Sequence, residues 1–247
     1  MIDVNDSYGA AAKQRRLLNI TVAFHEFCVS RNIKYTIIGG TLLGAIREKG
    51  FIPWDDDMDV LMSREEFEKL RPVADGMEAH YLKEHLWVYR IVEKEEFENN
   101  GLDETTPMLD IFIADRVPKG KLRKKFKVLM LKMLQGMMKT RTNKEKKVSF
   151  PYRVALKVTA LIGKLFSTKR KQKMYESVSK WGNKNSEQPL MICNDIFQSV
   201  GCEYDPHLLD ECTEVGFEDV SLMAVKNWDN YLKEQYGDYM TPVRTAH

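Results

Sequence analysis

The chain of 247 residues lacks the features that place a protein within a membrane or export it from the cell. None of its apolar stretches reaches the roughly eighteen residues that a membrane-spanning helix needs, so no such helix is predicted. Residues 1–6 show no basic region followed by an apolar run, and we expect no signal peptide there. On these grounds we expect a cytoplasmic protein.

Cysteine is also scarce, and its spacing excludes two further classes of protein. The four cysteines, Cys28, Cys193, Cys202 and Cys212, are too scattered for a disulfide framework. The last three lie near His207, which would allow a zinc site, but no pair has the Cys-x2-Cys spacing typical of one. We therefore predict buried, reduced thiols.

What the chain does have is an uneven distribution of charge. Its net charge is only +2 at pH 7. Residues 116–180, however, hold 21 Lys and Arg against 2 Asp and Glu, a net charge of +19, and the remainder carries −17. Because 43% of the residues are hydrophobic, there is enough apolar material for a sizeable core. The asymmetry predicts a basic segment joined to an acidic core.

The most informative pattern is a strand that leads into Gly39-Gly40, followed by Asp57 and Asp59. Side chains two residues apart on a strand share a face, with Cα atoms roughly 6–7 Å apart. Two such charges at close range cost about 4 kcal/mol at an intermediate dielectric constant. A hard divalent cation such as Mg²⁺ removes that cost, and glycines let backbone amides approach a phosphate. The pattern predicts a metal-assisted phosphoryl or nucleotidyl transfer site.

A third carboxylate is expected from a later strand. Asp110 lies within residues 108–113, which are apolar and β-branched as in a buried strand. It would complete the metal site or act as the base that accepts a hydroxyl proton. A purely structural carboxylate paired with a Lys or Arg is the alternative. Asp115 is a weaker candidate for the same role because it follows the strand.

Two stretches, residues 39–47 and 50–60, resemble the LicD family of the nucleotidyltransferase superfamily, to which the fukutin-related proteins are distantly related. Residues 217–242, with Tyr236-Gly237-Asp238-Tyr239, are similar to the closing motif of the family. The resemblance implies transfer of a phosphocholine group to bacterial surface glycans such as teichoic acid or lipopolysaccharide. It also implies a nucleotidyltransferase-like core.

The resemblance further implies roles for individual residues. The implied catalytic residues and metal ligands are Asp57, Asp59 and Asp110, with Mg²⁺, or Mn²⁺ in its place, as the cofactor. The implied substrate and phosphate contacts are Gly39, Gly40, Thr41, Arg47, Lys49 and Trp54. Each of these has a structural alternative: Thr41 would cap a helix, Lys49 would be a solvated charge, and Trp54 would wall the pocket instead of stacking on a base.

The reaction implied by the resemblance is transfer of phosphocholine from CDP-choline to a sugar hydroxyl of a glycan or its lipid-linked precursor, with CMP leaving. The group transferred stays open between choline, ethanolamine, ribitol and glycerol. One alternative is a nucleotidyltransferase that moves an NMP and releases pyrophosphate. Another is a non-catalytic protein that binds a membrane surface or nucleic acid, although no base-stacking or groove-reading motif supports a nucleic-acid partner.

Hydrophobic periodicity predicts an α/β (α+β) fold in which a mixed sheet is flanked by helices. We divide the chain into a core at 1–115, a basic and mostly helical insertion at 116–182, and a C-terminal part at 183–247 that packs back on the core. Predicted helices cover 8–31, 42–47, a segment opened by Ser63, 122–137, 154–165, 169–181 and 228–236. Predicted strands cover 35–38, 57–62, 87–92 and 108–113, the last two as a hairpin, and 191–225 is irregular or β-rich.

The basic insertion carries two apolar stripes at helical spacing. One comprises Leu122, Phe126, Leu129 and Met133, and the other Val154, Val158, Leu161 and Leu165. Such stripes pack as core in most proteins. With lysines around them they would also suit an anionic membrane surface, which would place the protein at the inner face of the membrane. A solvated helix surface is the third reading.

Overall fold

The computed structural model describes residues 2, 7–103, 105–139, 150–182 and 185–242. Its helices are α1 (Ala11–Ser30), α2 (Gly39–Arg47), α3 (Arg64–Leu70), α4 (Lys94–Asn100), α5 (Lys121–Met138), α6 (Phe150–Gly163), α7 (Thr168–Ser179) and α8 (Trp228–Tyr236). Its strands are β1 (Thr36–Ile37), β2 (Met58–Ser63), β3 (His80–His85), β4 (Val88–Glu93), β5 (Met108–Arg116), β6 (Leu190–Ile192), β7 (Cys212–Phe217) and β8 (Val220–Val225). The predicted α/β class is confirmed.

The strands form one mixed sheet in the order β3-β4-β5-β2-β1-β8-β7, and β6 pairs with β5. At its centre β1 runs antiparallel to β2, with Ile37 opposite Val60. On its other side β1 runs parallel to β8, with Ile37 opposite Ala224. Ile37, Val60 and Ala224 are all fully buried, so these central strands form an apolar platform. The platform fixes the two chain segments that carry the glycines and the paired aspartates.

The chain divides into two compact units. The first contains Met1–Lys83, Arg90–Ile111 and His207–His247, and the second contains Glu84–Tyr89 and Phe112–Pro206. The glycines, the aspartates and the C-terminal motif all belong to the first unit, and the basic segment at 116–180 belongs to the second. The boundaries 1–115, 116–182 and 183–247 stay a prediction.

Helices cover the sheet of the first unit with their apolar faces. On α1, Leu17, Ile20 and Phe24 recur at helical spacing and are fully buried, and this helix packs on β8. Helix α2 packs on β2 and β7, and α3 packs on β2. The predicted cap of α3 is confirmed, because the Ser63 hydroxyl accepts a hydrogen bond from the Glu66 amide at 3.2 Å. Both α2 and α3 thus lie against the strand that carries Asp59.

The second unit is built around α5, which packs on α6 and α7. Leu131 and Leu134 of α5 are fully buried in a cluster with Tyr175 of α7 and Met191 of β6. The buried Lys127 ammonium is satisfied by the Ser179 carbonyl at 2.7 Å. The three helices predicted for the basic segment are confirmed, whereas the polar run 141–149 between them lies outside the described residues.

Several local predictions were wrong. The strands predicted at 87–92 and 108–113 are neighbours in the sheet, as β4 and β5, but their connection contains α4 where a simple turn was predicted. Helix α2 begins at Gly39 and not at Leu42, so the glycines open the helix instead of forming a turn before it. Asp57 lies immediately before β2, and only Asp59 lies within it.

Two further predictions concern the cysteines and the absence of a membrane-spanning helix. All four cysteines are free; Cys28 and Cys193 are buried, Cys212 is partly buried, and Cys202 is exposed, so the prediction of buried thiols is wrong for Cys202. In the part of the chain that the structure describes, no helix combines the length and the apolar character needed to cross a membrane.

Candidate active site

The N-terminal end of α2 is closely approached by two carboxylates. Gly39 has φ +58°, in the region that favours glycine, and a Cβ there would lie 3.3 Å from Oδ2 of Asp59. A Cβ on Gly40 would lie 2.6 Å from Oδ2 of Asp55, too close for any side chain without a shift. The first amides of a helix have no partner within the helix, and its N-terminus carries partial positive charge. The glycines therefore make room for acidic groups at a terminus that favours them.

Thr41 connects α2 to the strand that carries Asp59. Its hydroxyl oxygen accepts a hydrogen bond from the Asp59 amide at 2.9 Å, and the Ile38 amide donates to the Asp59 carbonyl at 3.2 Å. Thr41 is buried and is not the helix cap, because the cap position is occupied by Ile38. Thr41 is the acceptor in this bond. The predicted contact between the Thr41 hydroxyl and a phosphate stays a prediction.

Asp55 and Asp57 lie in a concentration of negative charge. Burial, followed by the charges of Asp57 and Asp56, raises the pKa of Asp55 to about 7. The pKa of Asp57 is also raised, first by removal of its carboxylate from water and then by the charges of Asp110 and Asp56. Asp57 as a whole residue is exposed, so the shift reflects the acids around its carboxylate as well as burial. A site with this surplus of negative charge favours a cation.

Asp110 has a partner of opposite charge. The Arg90 guanidinium donates from Nε to Oδ1 of Asp110 at 2.7 Å and from Nη2 to Oδ2 at 3.4 Å. The two side chains are 20% and 23% exposed, so the pair is partly shielded from water. Asp110 therefore raises the pKa of Asp57 through its charge, and it also forms an ion pair with Arg90. The ion pair is the structural alternative predicted for this residue. The fork of Arg90 fixes the orientation of the carboxylate.

Tyr236 joins the acids from the last residue of α8. Its hydroxyl would lie 4.0 Å from a Cβ placed on Gly39. Tyr236 is 45% exposed as a whole residue, and partial burial together with the charges of Asp59, Asp55 and Asp57 raises its pKa to about 12. The neutral hydroxyl is therefore available as a hydrogen-bond donor beside the carboxylates. The similarity of this segment to a closing motif had given no role to the tyrosine.

A buried amide holds the loop that carries Asp55. Gln14 of α1 is 1% exposed, and its Nε2 donates to the Asp55 carbonyl at 2.8 Å and to the Ile52 carbonyl at 3.3 Å. A polar residue on the apolar face of α1 is the only signal in the sequence that could have pointed to this role. Asp56, by contrast, is exposed and pairs with Lys13 at 2.8 Å.

The C-terminal motif supports the loop between α2 and β2. The carboxylate of Glu218 accepts a hydrogen bond from the Phe51 amide at 3.0 Å, and the Phe51 and Phe217 rings meet edge to face with centroids 4.9 Å apart. Gly44 lets the Gly50 backbone approach α2 directly, since a Cβ on Gly44 would collide with the Gly50 carbonyl oxygen. These contacts explain why the motif residues 217–218 accompany the glycine-aspartate pattern.

Three further residues were predicted to contact the substrate. Arg47 lies at the end of α2, and Lys49 and Trp54 lie in the loop between α2 and β2. Arg47 ends the nine-residue helix α2, about 12 Å from its glycine end. Its guanidinium donates to Glu48 at 2.7 Å and to the Tyr239 carbonyl at 3.1 Å. Lys49 is exposed, and Trp54 is half-buried with its ring edge to face against Tyr8. Their predicted contacts with substrate stay predictions, and the contacts of Arg47 anchor the chain after α8.

The donor set of the site fits a hard cation. Across the described ranges, no three His, Cys, Asp or Glu side chains already form a ligand cluster. Mg²⁺ usually takes one or two carboxylates together with water and substrate phosphates, so a complete protein cage is not required. Burial and the charges of neighbouring acids raise the pKa values of Asp55 and Asp57, and a bound cation would stabilise the charged form of such carboxylates.

Comparison with known proteins identifies the same part of the chain. Residues 32–153 match the model described as LicD/FKTN/FKRP, nucleotidyltransferase domain. The chain is 39% identical over 115 residues to the lipopolysaccharide cholinephosphotransferase LicD of Haemophilus influenzae. The aligned region covers 41% of this chain and 42% of that protein. It is also 39% identical over 93 residues to the uncharacterized protein RP689 of Rickettsia prowazekii, covering 37% of this chain and 30% of that protein. The chain therefore spans less than half the length of each relative.

Proposed function

The chain belongs to the LicD family through the nucleotidyltransferase domain in residues 32–153, and on that premise we propose that it transfers phosphocholine from CDP-choline to a sugar hydroxyl of a surface glycan. Lipopolysaccharide or its lipid-linked precursor is the proposed acceptor, because the Haemophilus relative is a lipopolysaccharide cholinephosphotransferase. CMP is the proposed leaving group. The observation that carries the proposal is the group of aspartates gathered at the N-terminal end of α2.

We propose separate roles for the acidic residues in this transfer. Asp57 and Asp59, completed by Asp110, are the proposed ligands of Mg²⁺ or Mn²⁺. When bound, the ion supplies positive charge against the diphosphate of the donor. Arg90 holds the Asp110 carboxylate in one orientation. The Gly39 backbone lies beside Asp59 and the Gly40 backbone beside Asp55, and both glycines are proposed contacts of the donor phosphates.

Removal of a proton from the acceptor hydroxyl needs a base. Asp110 is the base suggested by the sequence, and the structure adds Asp55 as a second candidate. A general base works best when its pKa lies near the working pH, and the pKa of Asp55 is raised to about 7. Because positioning and electrostatics dominate phosphoryl transfer, either carboxylate would make a modest contribution compared with the metal ligands.

Replacement of single aspartates tests the proposed site. Asp57→Asn or Asp59→Asn should abolish release of CMP from CDP-choline and leave the fold intact, because each removes a metal ligand. Asp75→Asn is the matched control, since Asp75 is exposed and is not among the acids that raise the pKa of Asp55 or Asp57. Near wild-type turnover of either ligand variant at saturating Mg²⁺ would overturn the assignment.

The group transferred is tested by ligand binding. We propose to measure thermal stability with CDP-choline, CDP-ethanolamine, CDP-ribitol and CDP-glycerol, each with Mg²⁺. A ligand at about a hundredfold above its Kd should add roughly 2.7 kcal/mol to the free energy of unfolding. Choline should give the largest increase. A larger increase with CTP than with any CDP-alcohol would favour the nucleotidyltransferase alternative.

A further inference from the structure

Two helices of the second unit expose apolar residues that the sequence would ordinarily place in a core. On α5, Leu122 is 83% exposed, Phe126 52% and Leu129 63%. Their spacing places them on one face of the helix. The opposite face of the helix supplies the buried residues, including Leu131 and Leu134. Most of the first apolar stripe is therefore left on the surface.

The second stripe is exposed in the same way. On α6, Val154 is 44% exposed, Val158 51%, Leu161 67% and Leu165, just beyond the helix end, 79%. Helices α5 and α6 meet instead through small residues: a Cβ on Gly136 would lie 2.5 Å from the Thr159 hydroxyl, and one on Gly163 would collide with the Met137 carbonyl. Packing between the two helices thus leaves the stripes uncovered. We call the exposed stripes of α5 and α6 together the α5–α6 face.

The charges near this face are all of one sign on the two helices. The sequences of α5 and α6 contain no Asp or Glu. Exposed basic residues accompany the apolar ones: Lys121, Arg123, Lys125, Lys157 and Lys164. A recess of about 460 Å³ opens beside Leu129, and its lining includes Lys124, Lys125 and Lys132. Lys124 also contacts Glu203, so the recess is basic without being wholly unpaired.

An aromatic residue lies at the edge of the same surface. Trp181, 40% exposed, meets the Phe126 ring edge to face with centroids 5.7 Å apart. Tryptophan has an apolar ring and a polar N–H, and this combination is enriched where one end of a side chain is in lipid and the other in water. The face therefore combines exposed aliphatic side chains, lysines and an interfacial aromatic.

We propose that the α5–α6 face docks on the surface of an anionic lipid bilayer. The aliphatic side chains would enter the boundary between headgroups and acyl chains, and the lysines would meet lipid phosphates. A second copy of the chain is a poor occupant, because the exposed bases would face one another and repel. The proposal does not depend on the chemistry of the aspartates, which lie in the first unit.

Vesicle flotation of the full chain, without any donor substrate, tests the proposal. We expect binding to phosphatidylcholine vesicles that contain phosphatidylglycerol, weaker binding as salt rises, and little binding to phosphatidylcholine alone. Phe126→Ser with Leu129→Ser should reduce binding at least tenfold. Val29→Ser is the matched control, since Val29 is 57% exposed on α1. Thermal unfolding of each variant shows whether the fold is kept.

A second pair of variants leaves the apolar residues in place. Lys125→Ala with Lys157→Ala should weaken partitioning about fivefold for each lysine removed. Lys69→Ala, 57% exposed on α3, should have no effect. Three results would overturn the proposal: no binding to anionic vesicles at low salt, equal binding to neutral vesicles, or a dimer in solution that the Phe126 and Leu129 replacements disperse.

Discussion

Replacing Asp55 with Asn should stabilise the folded protein at neutral and higher pH. It should have almost no effect on stability at acidic pH. The pKa of Asp55 is raised from 3.8 to about 7, so the folded state holds a proton that the unfolded chain has already lost. Below about pH 4 both states are protonated and no penalty exists. As the pH rises towards about 7, the folded state loses stability relative to the unfolded chain, and above that the loss is complete. Asp55→Asn stays neutral and removes this loss.

The size of the effect follows from the shift. At 1.36 kcal/mol for each pH unit, the shift corresponds to about 4 kcal/mol as an upper limit. Because Asp55 is only partly buried, screening by solvent reduces this figure, and we expect Asp55→Asn to be about 2 kcal/mol more stable than wild type at about pH 8. At about pH 4 the two proteins should unfold at nearly the same urea concentration.

Urea unfolding at both pH values, with and without Mg²⁺, measures these differences. Asp75→Asn is the control, because Asp75 is exposed and its charge is not among those that raise the pKa of Asp55, so the stability of this variant should stay near that of wild type. Mg²⁺ should stabilise wild type more than Asp55→Asn, since the cation and the substitution relieve the same repulsion. An Asp55→Asn variant no more stable than wild type at the higher pH would refute the reasoning.

Three further substitutions test the support of the site. Gln14→Leu should lower the free energy of unfolding in urea by about 1–3 kcal/mol, because the Asp55 carbonyl loses the donor that Gln14 supplies. Gly44→Ala should reduce the melting temperature markedly, since its Cβ would collide with the Gly50 backbone; unchanged melting would refute the close packing. Tyr236→Phe should lower turnover with CDP-choline while leaving the melting temperature near that of wild type, and unchanged turnover would show that the hydroxyl beside Asp59 has no role.

The long helices were predictable because their apolar residues recur at helical spacing, even in α5, where much of that stripe is exposed. Residues 8–31, 122–137 and 228–236 were predicted as helices, and α1, α5 and α8 lie there. Strand β3 was missed because its sequence is polar and it lies at the end of the sheet, where His80 is its one buried residue. Helix α4 was missed because none of its seven residues is buried, so no apolar period marks it.

The acidic residues of the site could be predicted from the sequence, but the residues that contact them could not. The spacing of Asp57, Asp59 and Asp110 pointed to one region of the chain, and Asp57 and Asp110 do act on each other. Arg90, Gln14 and Tyr236 reach the region through tertiary contacts that no local pattern shows. The position of Arg47 could not be predicted either, because α2 holds the nine residues from Gly39 to Arg47 in one helix and so separates the arginine from the glycines by about 12 Å.

The identity of the nucleotide released tests the central claim most directly. The protein would be incubated with CDP-choline, Mg²⁺ and lipopolysaccharide, and separately with CTP, and the products separated by ion-exchange chromatography with Asp57→Asn as the inactive control. The account predicts CMP from CDP-choline in step with choline phosphate on the glycan, and no reaction with CTP. Release of pyrophosphate from CTP, with CDP-choline left intact, would contradict it.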